Sequence, residues 1–469
     1  MTGRIAQLVK VGMVHVGSAL ESFHARYLGW KHYRNPAGAT AYDAALDGVT
    51  ESNVARQFSS PEHALHLYAR GVRSGRVELA ARRFLLKNVS SDDFRGNKRD
   101  LFEYCLFLFS EKDWSSLAAI LIDSDFATML RGDAAQAAMM GDLAFLSAHR
   151  LRQKGKADLA GLVDATESWK PVIGQGQRRV HEACIAFLDG EIDRGRGLIQ
   201  QSVLQYRPHF ALSGLRTVFD FQPDAAPALS GGIDLIRRSS KRVVLLVSVD
   251  KSYFDLFAMR FQQTAFRASS SVGVHFHCIG FTPDAAAMPE ECGFSTERFG
   301  GNTVVRASDD ALRKRAYYAV ARYIHLEHFL GHYDAVRVSD VDGEVYPRAG
   351  DAITHPVILH SFVERNLGLR LPTEMVSAGN VSLRACEKGT AFAAYVRQYI
   401  LQGFASGLDP LWYLDQSALF SAWADLKDSG SVVTDMRPFF TQKGDWSLAK
   451  GLSDKLEGVT KNAGAASSD

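Results

Sequence analysis

The chain has 469 residues, of which 46% are hydrophobic and 23% charged, a balance typical of a globular protein with two or three packed domains. A formal net charge of +2 at pH 7, with no clustered basic stripe, argues against a dedicated nucleic-acid surface. Five cysteines without CxxC pairing favour a reducing compartment over a secreted disulfide scaffold.

The N-terminal sequence does not have the pattern of a secretion signal. MTGRIAQLVKVGMVHVGSALESF contains no apolar core of sufficient length, and no window of the chain reaches the roughly 20 apolar residues of a membrane-spanning helix. We therefore expect a cytoplasmic protein without a transmembrane segment. Peripheral contact with the inner face of a membrane stays open.

The first half of the chain has the pattern of helices. From Pro61 to about Pro208 apolar residues recur at spacings of three and four, and polar turns divide the pattern into units that begin near residues 61, 99, 134 and 177. The resulting spacings of 38, 35 and 43 residues are close to those of helix-pair repeats. The region resembles a degenerate tetratricopeptide array, and an irregular helical bundle remains the alternative.

In the second half of the chain, strand-length runs of apolar residues appear beside the helical spacing. RVVLLVSVD at 242–250 and VGVHFHCIG at 272–280 are strand-length runs, and the sequence between them, at 252–269, is helical. This βαβ unit predicts an α/β domain with a mainly parallel sheet. Further along the chain we expect a long helix, a short buried strand and a later strand, at 310–332, 335–339 and 377–383.

These patterns divide the chain into five segments. The stretch before residue 242 mixes Pro, Gly, Ser and a short basic cluster, which is typical of a linker. We expect a helical segment at 1–58, a tetratricopeptide-like domain at 59–222, a linker at 223–241, the α/β domain at 242–450 and a partly disordered tail at 451–469.

Two aspartates, Asp340 and Asp342, follow the predicted strand at 335–339 in the sequence SDVDGEV. Residues i and i+2 of a strand point to one side, so two carboxylates would lie together. At ~4 Å and an effective dielectric constant of ~20, two like charges repel by about 4 kcal/mol. A divalent cation removes this cost, and oxygen ligands of this kind suit Mg²⁺ or Mn²⁺ bound with a substrate's phosphates.

Three interpretations of the aspartate pair compete. The first is a solvated strand end without a ligand. The second is the hhhDxDGT motif of haloacid dehalogenase-like phosphatases, with Asp340 as the nucleophile, but Glu344 follows the glycine where Thr or Val is usual, and no later aspartate pair completes a metal site. The third is the DxD motif of nucleotide-sugar glycosyltransferases, in which the pair holds a metal on the diphosphate.

Four sequence blocks support the third interpretation, because they resemble family 8 of the glycosyltransferases and its relatives with the A-type nucleotide-diphospho-sugar transferase fold. VVLLVSVDKSYFDLF resembles the first strand of that family, so Val249, Asp250 and Tyr253 match positions that border uracil and ribose. RAYYAVARYIHLEHFLGHYDAVRVSDVD resembles the helix and strand that lead to DxD. It contains residues that match the donor site: Tyr318, Arg322, Ser339, Asp340, Val341 and Asp342.

Two later blocks complete the resemblance, which covers about residues 240–450 as scattered motifs. VSAGNVSLRACEKG resembles a strand with the pattern FNxGVxLxNL, in which Ala378 and Gly379 match. WYLDQSAL matches a DQxxL block, which implies that Asp415 and Gln416 lie beside the donor sugar. Taken singly, Tyr317, Tyr318 and Arg322 are better explained as helix-packing aromatics and a solvated arginine. For the later blocks, a packing glycine and a helix cap stay open as alternatives.

The chain departs from the family at the C-terminal block that supplies a metal-binding histidine, since no histidine follows His360. MRPFFTQKGDWSLAKG resembles a remnant of that block, with Gln442 near the histidine position and Lys443 and Lys450 able to contact phosphates. The resemblance therefore implies a metal held by Asp340 and Asp342 with Gln442 or Asp445.

The resulting hypothesis is a Rossmann-like A-type glycosyltransferase preceded by an all-α helical-repeat domain. It would move a sugar from a UDP-sugar, with Mn²⁺ or Mg²⁺, to an unknown glycan, lipid or protein acceptor, with Arg322 orienting the donor. Family 8 implies retention of configuration, while an inverting enzyme would need a general base, for which Asp415 is the first candidate. The alternatives are a non-catalytic scaffold with a degenerate transferase domain, or the phosphatase.

Two further features enter the hypothesis. The helical domain would bind an acceptor protein or another protein partner on a concave surface. His275 and His277 alternate in a strand and therefore share a face, but with no third ligand nearby we interpret them as packing or hydrogen-bonding residues.

Overall fold

The structure is a computed structural model, and its chain divides into two compact units, Met1–Ile173 and Gly174–Asp469. It describes residues 60–62, 64–65, 68, 82, 84–94, 96–122, 124–202, 205–225, 232–297, 311–343, 345, 353–360, 371–407, 411–430 and 432–435. The predicted segments 1–58 and 451–469 lie outside these residues. So do the predicted site residues Gln442, Lys443, Asp445 and Lys450.

The described part of the first unit is helical, as the spacing of its apolar residues predicts. Four of its helices begin at an Asn or Asp whose side chain accepts hydrogen bonds from backbone amides of the first turn. The helices are α1 (Lys98–Glu111), α2 (Trp114–Leu121), α3 (Ser124–Met129), α4 (Ala134–Gln153) and α5 (Leu159–Trp169).

Trp169 joins three of these helices in the core of the first unit. Its indole N–H donates to the carbonyl oxygen of Leu121 at 2.7 Å, and its ring meets the edge of Phe126 at 6.2 Å between centroids. The starts of α1 and α4 lie within a residue of two predicted repeat units. The helical prediction is confirmed for the described residues, and the tetratricopeptide likeness stays a prediction.

The second unit begins with a helix pair that the sequence assigned to the first domain. These helices are α6 (Gln175–Asp189) and α7 (Ile192–Ser202). Phe187 meets Phe420 at 5.6 Å between ring centroids, and Arg196 binds Asp425 at 2.5 Å. The structure therefore groups residues 174–222 with the α/β region, whereas the sequence placed the boundary at 222.

The second unit contains one mixed eight-stranded sheet, so the predicted α/β class with mostly parallel strands is confirmed. Its order is β1-β4-β3-β2-β5-β7-β6-β8, with β1, β5/β7 and β6/β7 in antiparallel pairings. The strands are β1 (Asp234–Arg237), β2 (Val243–Val249), β3 (Val272–Ile279), β4 (Cys292–Glu297), β5 (Ala335–Ser339), β6 (Val357–His360), β7 (Asn380–Arg384) and β8 (Val432–Asp435).

Helices cover both faces of this sheet. On one face α8 (Lys251–Ala268) packs through Phe257 and Phe261 against Val247 and Phe276, within one buried cluster. On the other face lie α9 (Ala311–Ile324) and α10 (Leu326–Leu330), where Phe329 contacts the rings of both strand histidines. Burial of β2 and β3 on two faces explains their nearly continuous apolar sequences. The remaining helices are α11 (Pro372–Met375), α12 (Glu387–Ala405) and α13 (Leu414–Leu426).

Three of the predicted elements differ from those observed. The helix predicted at 310–332 is interrupted at His325, which separates α9 from α10. The strand predicted at 377–383 begins at Asn380, because the three preceding residues form a turn. The predicted linker at 223–241 contains β1, which pairs with β4 and thereby extends the sheet.

The chain order of the sheet creates a switch point between β2 and β5. From β2 the chain continues outward to β3 and β4, and then returns to β5 on the other side of β2. In open α/β sheets ligands bind outside the carboxyl ends of the strands at such a point. Asp250 and Asp340 directly follow the two strand ends, and both therefore lie at this edge.

No helix among the described residues is both long and apolar enough to cross a membrane.

Candidate functional site

The aspartate pair lies in a turn. The prediction that strand alternation places the two carboxylates together is therefore wrong. Strand β5 ends at Ser339, and the amide N–H of Gly343 donates to the carbonyl oxygen of Asp340 at 3.3 Å. Val341 is buried in the core beside α8, while Asp340 and Asp342 are both partly exposed. A turn, and not strand alternation, thus separates the apolar side chain from the two carboxylates.

Arg322 on α9 holds Asp340 in place. One guanidinium nitrogen, Nη2, lies 2.6 Å from Asp340 Oδ1, and the same atom donates to the carbonyl oxygen of Ala378 at 3.3 Å. The other, Nη1, donates to the carbonyl oxygen of Ser339. Burial lowers the pKa of Arg322, but Asp340 and Asp415 more than offset this effect, so its pKa stays above the ordinary value. The arginine therefore supplies part of the charge compensation that the sequence argument assigned to a cation alone.

Gly379 makes room for the Asp340 carboxylate. In the antiparallel pairing of β5 and β7, Ser339 lies opposite Asn380, so the next residues in register face each other. A Cβ atom at Gly379 would stand 2.9 Å from Asp340 Cγ and closer still to Oδ2. Any larger residue would displace the carboxylate, because real Cβ atoms do not approach other atoms so closely.

The charges of three carboxylates act on Tyr253 in the first turn of α8. Asp250 caps this helix, because its carboxylate accepts the amide N–H of Tyr253 at 2.8 Å. Burial raises the pKa of the Tyr253 hydroxyl to about 12, and the charges of Asp342, Asp250 and Asp340 add to the effect. All three acidic groups thus influence one tyrosine, although Asp250 and Asp342 are 92 positions apart in the chain.

The residues that flank this acidic group have different environments. Val249 is buried in the core behind Asp250. Tyr318 lies on α9 next to the end of β2, where its carbonyl oxygen accepts the hydroxyl of Ser248 at 2.6 Å. Burial raises the pKa of Tyr318, and the charge of Asp250 raises it further.

Asp415 approaches the same arginine from α13. It lies in the first turn of this helix, and its carboxylate accepts the amide N–H of Gln416 at 2.8 Å. Burial raises the pKa of Asp415 to about 6, against the opposing effect of Arg322, while Asp340 raises it further. Asp415 is therefore an acid that changes charge close to neutral pH.

Three buried polar atoms at the site have no hydrogen-bond partner among the described residues: Arg322 Nε, Ser339 Oγ and Gln416 Oε1. An unpartnered buried polar atom costs roughly 1–3 kcal/mol. Such atoms gather where a ligand or water completes the hydrogen bonding. They come from α9, from the last residue of β5 directly before Asp340, and from α13, which carries Asp415.

The carboxylate oxygens at this site are suitable ligands for a hard divalent cation. Carboxylate oxygens at the strand ends are the ligands that Mg²⁺ and Mn²⁺ prefer, and the Asp340 side chain is partly accessible to solvent. In this arrangement Asp340 and Asp342 would hold the ion. The third ligand expected at Gln442 lies outside the described residues, as do Lys443 and Lys450.

A second polar cluster, which the sequence argument missed, lies on the α9 and α10 face of the sheet. His277 on β3, Glu297 at the end of β4 and His325 at the helix break are all buried, and their side-chain nitrogen and oxygen atoms lie within 4.8 Å of one another. We call these three residues the buried His/Glu cluster. Tyr317 on α9 donates its hydroxyl to Glu297 Oε1 at 2.5 Å.

The two strand histidines are hydrogen bonded, as predicted, but the statement that no third ligand lies nearby is wrong. His275 contacts the Tyr333 hydroxyl at 2.7 Å, and both histidines contact Ser295 Oγ at 3.0 Å. Burial lowers the pKa of His275 and of His277. Glu297 was missed because its strand, CGFSTE, has little apolar character, and no sequence signal brings it to the histidines.

The structure brings together most of the residues that the sequence nominated. Asp250, Tyr253, Asp340, Asp342 and Arg322 converge at the switch point, and the other described members lie on the adjoining elements: Val249, Tyr318, Ser339, Val341, Ala378, Gly379, Asp415 and Gln416. No protein-family model matches the chain, and no curated protein matches it in sequence. The interpretation of the site therefore depends on its geometry.

Proposed function

We propose that the second unit is a glycosyltransferase that uses a nucleotide diphosphate sugar, a UDP-sugar in the first instance. The observation that carries the proposal is the meeting of four sequence blocks at one edge of the sheet. Contacts of Arg322 join the turn after β5 to the residue pair before β7, and electrostatic interactions link these groups to the end of β2 and to the first turn of α13. A phosphorylated ligand at the switch point of an α/β sheet is the expected arrangement for such a site.

The finer fold assignment belongs to the same proposal. The sheet is parallel from β4 through β5, and β7 then enters it in the opposite direction with Ala378 and Gly379 at its start. This insertion places a close backbone approach directly beside the Asp340 carboxylate. A Rossmann-like, A-type transferase domain accounts for the DxD turn, the adjoining glycine and the helix that carries the donor arginine.

Each residue then has a defined role. A Mn²⁺ or Mg²⁺ ion, when bound by Asp340 and Asp342, would neutralise charge on the diphosphate leaving group. Arg322 fixes the orientation of Asp340 and places positive charge beside it. Gln416 offers a buried amide oxygen that can accept a hydroxyl of the sugar.

Asp415 can take part in the reaction itself, in addition to positioning the substrate. With its pKa raised to about 6, its carboxyl is mainly ionised at pH 7 and can accept a proton. A retaining enzyme would use this charge to stabilise the transition state, while an inverting enzyme would use it as a general base. Analysis of the anomeric configuration of the product distinguishes the two.

A donor screen tests the proposed activity. The full-length protein is incubated with a panel of nucleotide sugars and Mn²⁺, and release of the free nucleotide is followed. We expect release from at least one UDP-sugar, a loss of at least ~100-fold in the double variant Asp340→Asn, Asp342→Asn, and no change in Asp334→Asn. Asp334 is the control because it lies at the opposite end of the same strand, paired with Arg242 on the surface.

Two outcomes of the screen contradict the proposal. Absence of nucleotide release and of nucleotide binding for every donor would favour the scaffold interpretation. Release of inorganic phosphate from phosphomonoesters, dependent on Asp340, would favour the phosphatase interpretation instead.

We further infer that the helical first unit binds an acceptor protein or another protein partner. What supports this is the repeat-like spacing of its helices, since helix-pair arrays present extended binding surfaces. A deletion that tests it should remove residues 1–173 and keep α6 and α7, which pack on α13. Unchanged transfer to the natural acceptor by the folded remainder would contradict the inference.

A further inference from the structure

We propose that the buried His/Glu cluster, His277, Glu297 and His325, is a binding site for a transition metal ion, with Zn²⁺ as the expected occupant. The cluster lies on β3, β4 and the break between α9 and α10. It shares no residue with the DxD turn, and the inference is independent of the proposed glycosyltransferase activity.

The separations of the side-chain atoms suit a four-coordinate ion. His277 Nε2 lies 3.3 Å from Glu297 Oε2, and His325 Nε2 contacts the same oxygen. Zinc bonds of about 2.0–2.2 Å in tetrahedral geometry place neighbouring ligand atoms about 3.3 Å apart. The pair His277 and Glu297 already has this separation, whereas His325 Nε2 must withdraw from the carboxylate oxygen for an ion to enter between them.

The surrounding hydrogen bonds orient each group toward one point. The Tyr317 hydroxyl donates to Glu297 Oε1, so the other oxygen, Oε2, is directed to the two histidines. Ser295 Oγ lies 3.0 Å from His277 Nδ1, so this hydroxyl can accept a hydrogen bond from Nδ1–H in the tautomer that leaves Nε2 free to bind a metal ion. Outer contacts of this kind are what hold metal-binding histidines and carboxylates in position.

His277 Nε2 provides a separate indication of a missing partner. The residue is fully buried, yet this nitrogen makes no hydrogen bond of normal geometry within the described part of the chain. It faces a carboxylate oxygen at a distance that is long for a hydrogen bond. When Nδ1 carries the ring proton, Nε2 presents a lone pair to an anionic oxygen, and a cation between them satisfies both.

The donor set also predicts which ions bind. Two imidazoles with one carboxylate suit Zn²⁺, Co²⁺ or Fe²⁺, whereas Mg²⁺ and Mn²⁺ prefer sites made of oxygen atoms. The two sites of this unit should therefore select different ions: hard cations at the aspartate turn, and zinc at the buried cluster.

The test is a metal titration of the full-length protein that carries Asp340→Asn and Asp342→Asn, so that the aspartate turn does not contribute. After chelation, Zn²⁺ is added and binding is followed by calorimetry and metal analysis, and Co²⁺ is added for its absorption spectrum. We expect one Zn²⁺ per chain and a Co²⁺ spectrum of the four-coordinate type. Glu297→Gln should weaken Zn²⁺ binding by more than ~100-fold, and Tyr317→Phe, which keeps all three ligands, by ~10–100-fold.

The control is His332→Gln, which removes the imidazole of a histidine just after α10 that lies outside the cluster; we expect it to bind Zn²⁺ as the parent does. A parent protein that takes up neither Zn²⁺ nor Co²⁺ overturns the proposal. A folded Glu297→Gln protein that binds Zn²⁺ with undiminished affinity does the same. If Glu297→Gln does not fold, the parent's Co²⁺ spectrum and Tyr317→Phe decide, and a six-coordinate spectrum or unweakened binding overturns the proposal.

Discussion

Helix α9 carries parts of two polar sites that differ in their access to solvent. Arg322 near its end binds Asp340 at the open edge of the sheet, while Tyr317, five residues earlier, binds Glu297 inside the protein. The Asp340 side chain is 28% exposed and that of Glu297 is 7% exposed. The same helix thus positions one acidic group where a ligand can reach it and encloses another.

The two sites also differ in how the polar groups around their carboxylates are hydrogen bonded. At the aspartate turn, buried polar atoms without partners lie next to accessible carboxylates, which is the condition for taking up a soluble ligand. In the buried cluster the outer groups, Tyr317 and Ser295, already make their hydrogen bonds. Its contribution should therefore appear in stability and metal content more than in substrate binding.

The largest effect on the open site is expected from Arg322→Met. The substitution removes the ion pair and leaves Asp340 uncompensated, so the free energy of unfolding should fall by about 3 kcal/mol, the lower end for a broken buried pair because Asp340 keeps contact with water. Urea denaturation measures the change. Arg242→Met, at an exposed pair with Asp334, is the control and should cost less than about 1 kcal/mol. Equal losses would mean that the Arg322 pair is no more important than a surface contact.

A pH-dependent effect is expected at Asp415. Its pKa in the folded protein is raised from 3.8 to about 6, so the folded state binds the proton more tightly than the unfolded state. The resulting stability is present below pH 4 and is lost as pH rises through about 6. Asp415→Asn does not titrate, so its free energy of unfolding relative to wild type should rise by about 2–3 kcal/mol between pH 4 and pH 7.

Thermal or urea unfolding of wild type and Asp415→Asn at several pH values measures this difference. Gln416 N–H can still donate to the amide oxygen of the variant, so the capping contact is a matched feature of both proteins. A difference that does not change with pH would contradict the raised pKa.

A steric effect is expected from Gly379→Ala. The new Cβ would collide with the Asp340 carboxylate, so we expect a loss of about 1–3 kcal/mol in stability together with weaker nucleotide binding. Gly197→Ala is the control, since its Cβ would meet nothing within 4 Å in helix α7 and should stabilise the protein by up to about 1 kcal/mol. Unchanged nucleotide binding by Gly379→Ala would show that the position of Asp340 is not critical.

The smallest effect is expected from Tyr317→Phe in metal-free protein. It removes the hydroxyl that donates to Glu297 and leaves a buried acceptor with one partner fewer, which should cost about 1–2 kcal/mol by urea denaturation. Tyr68→Phe, whose hydroxyl forms an exposed contact with Ser110, should change stability by no more than about 0.5 kcal/mol. A neutral Tyr317→Phe would mean that the enclosed site does not depend on its outer hydrogen bond.

The central strands could be predicted because strands that are buried on both faces consist almost entirely of apolar residues. VVLLVSV and VGVHFHCI are covered on both faces, and β5 has the same bounds in sequence and structure. Strand β1 is short and partly exposed, and β4 alternates apolar with small or polar residues. The sequence of neither strand can therefore be distinguished from that of a loop. Their places in the sheet depend on pairing with strands distant in sequence.

Part of the candidate site could be predicted because some of its residues are marked by local patterns in the sequence. Asp340, Asp342 and Gly379 carry local signals, namely a spaced acidic pair and a glycine at a strand start. The ion pair with Arg322 and the raised pKa of Asp415 arise only when α9 and α13 pack against the sheet edge. His325 was hidden inside a continuous helical pattern, since the break that places it beside Glu297 has no glycine or proline to mark it.

Binding of UDP by the full-length protein, measured by calorimetry with and without Mn²⁺, tests the central claim most directly. The proposed site predicts that UDP binds in the presence of Mn²⁺, binds at least ~10-fold more weakly without it, and is not bound by the folded Asp340→Asn, Asp342→Asn variant. Equal UDP affinity in wild type and variant, or no UDP binding by wild type with Mn²⁺, would contradict it.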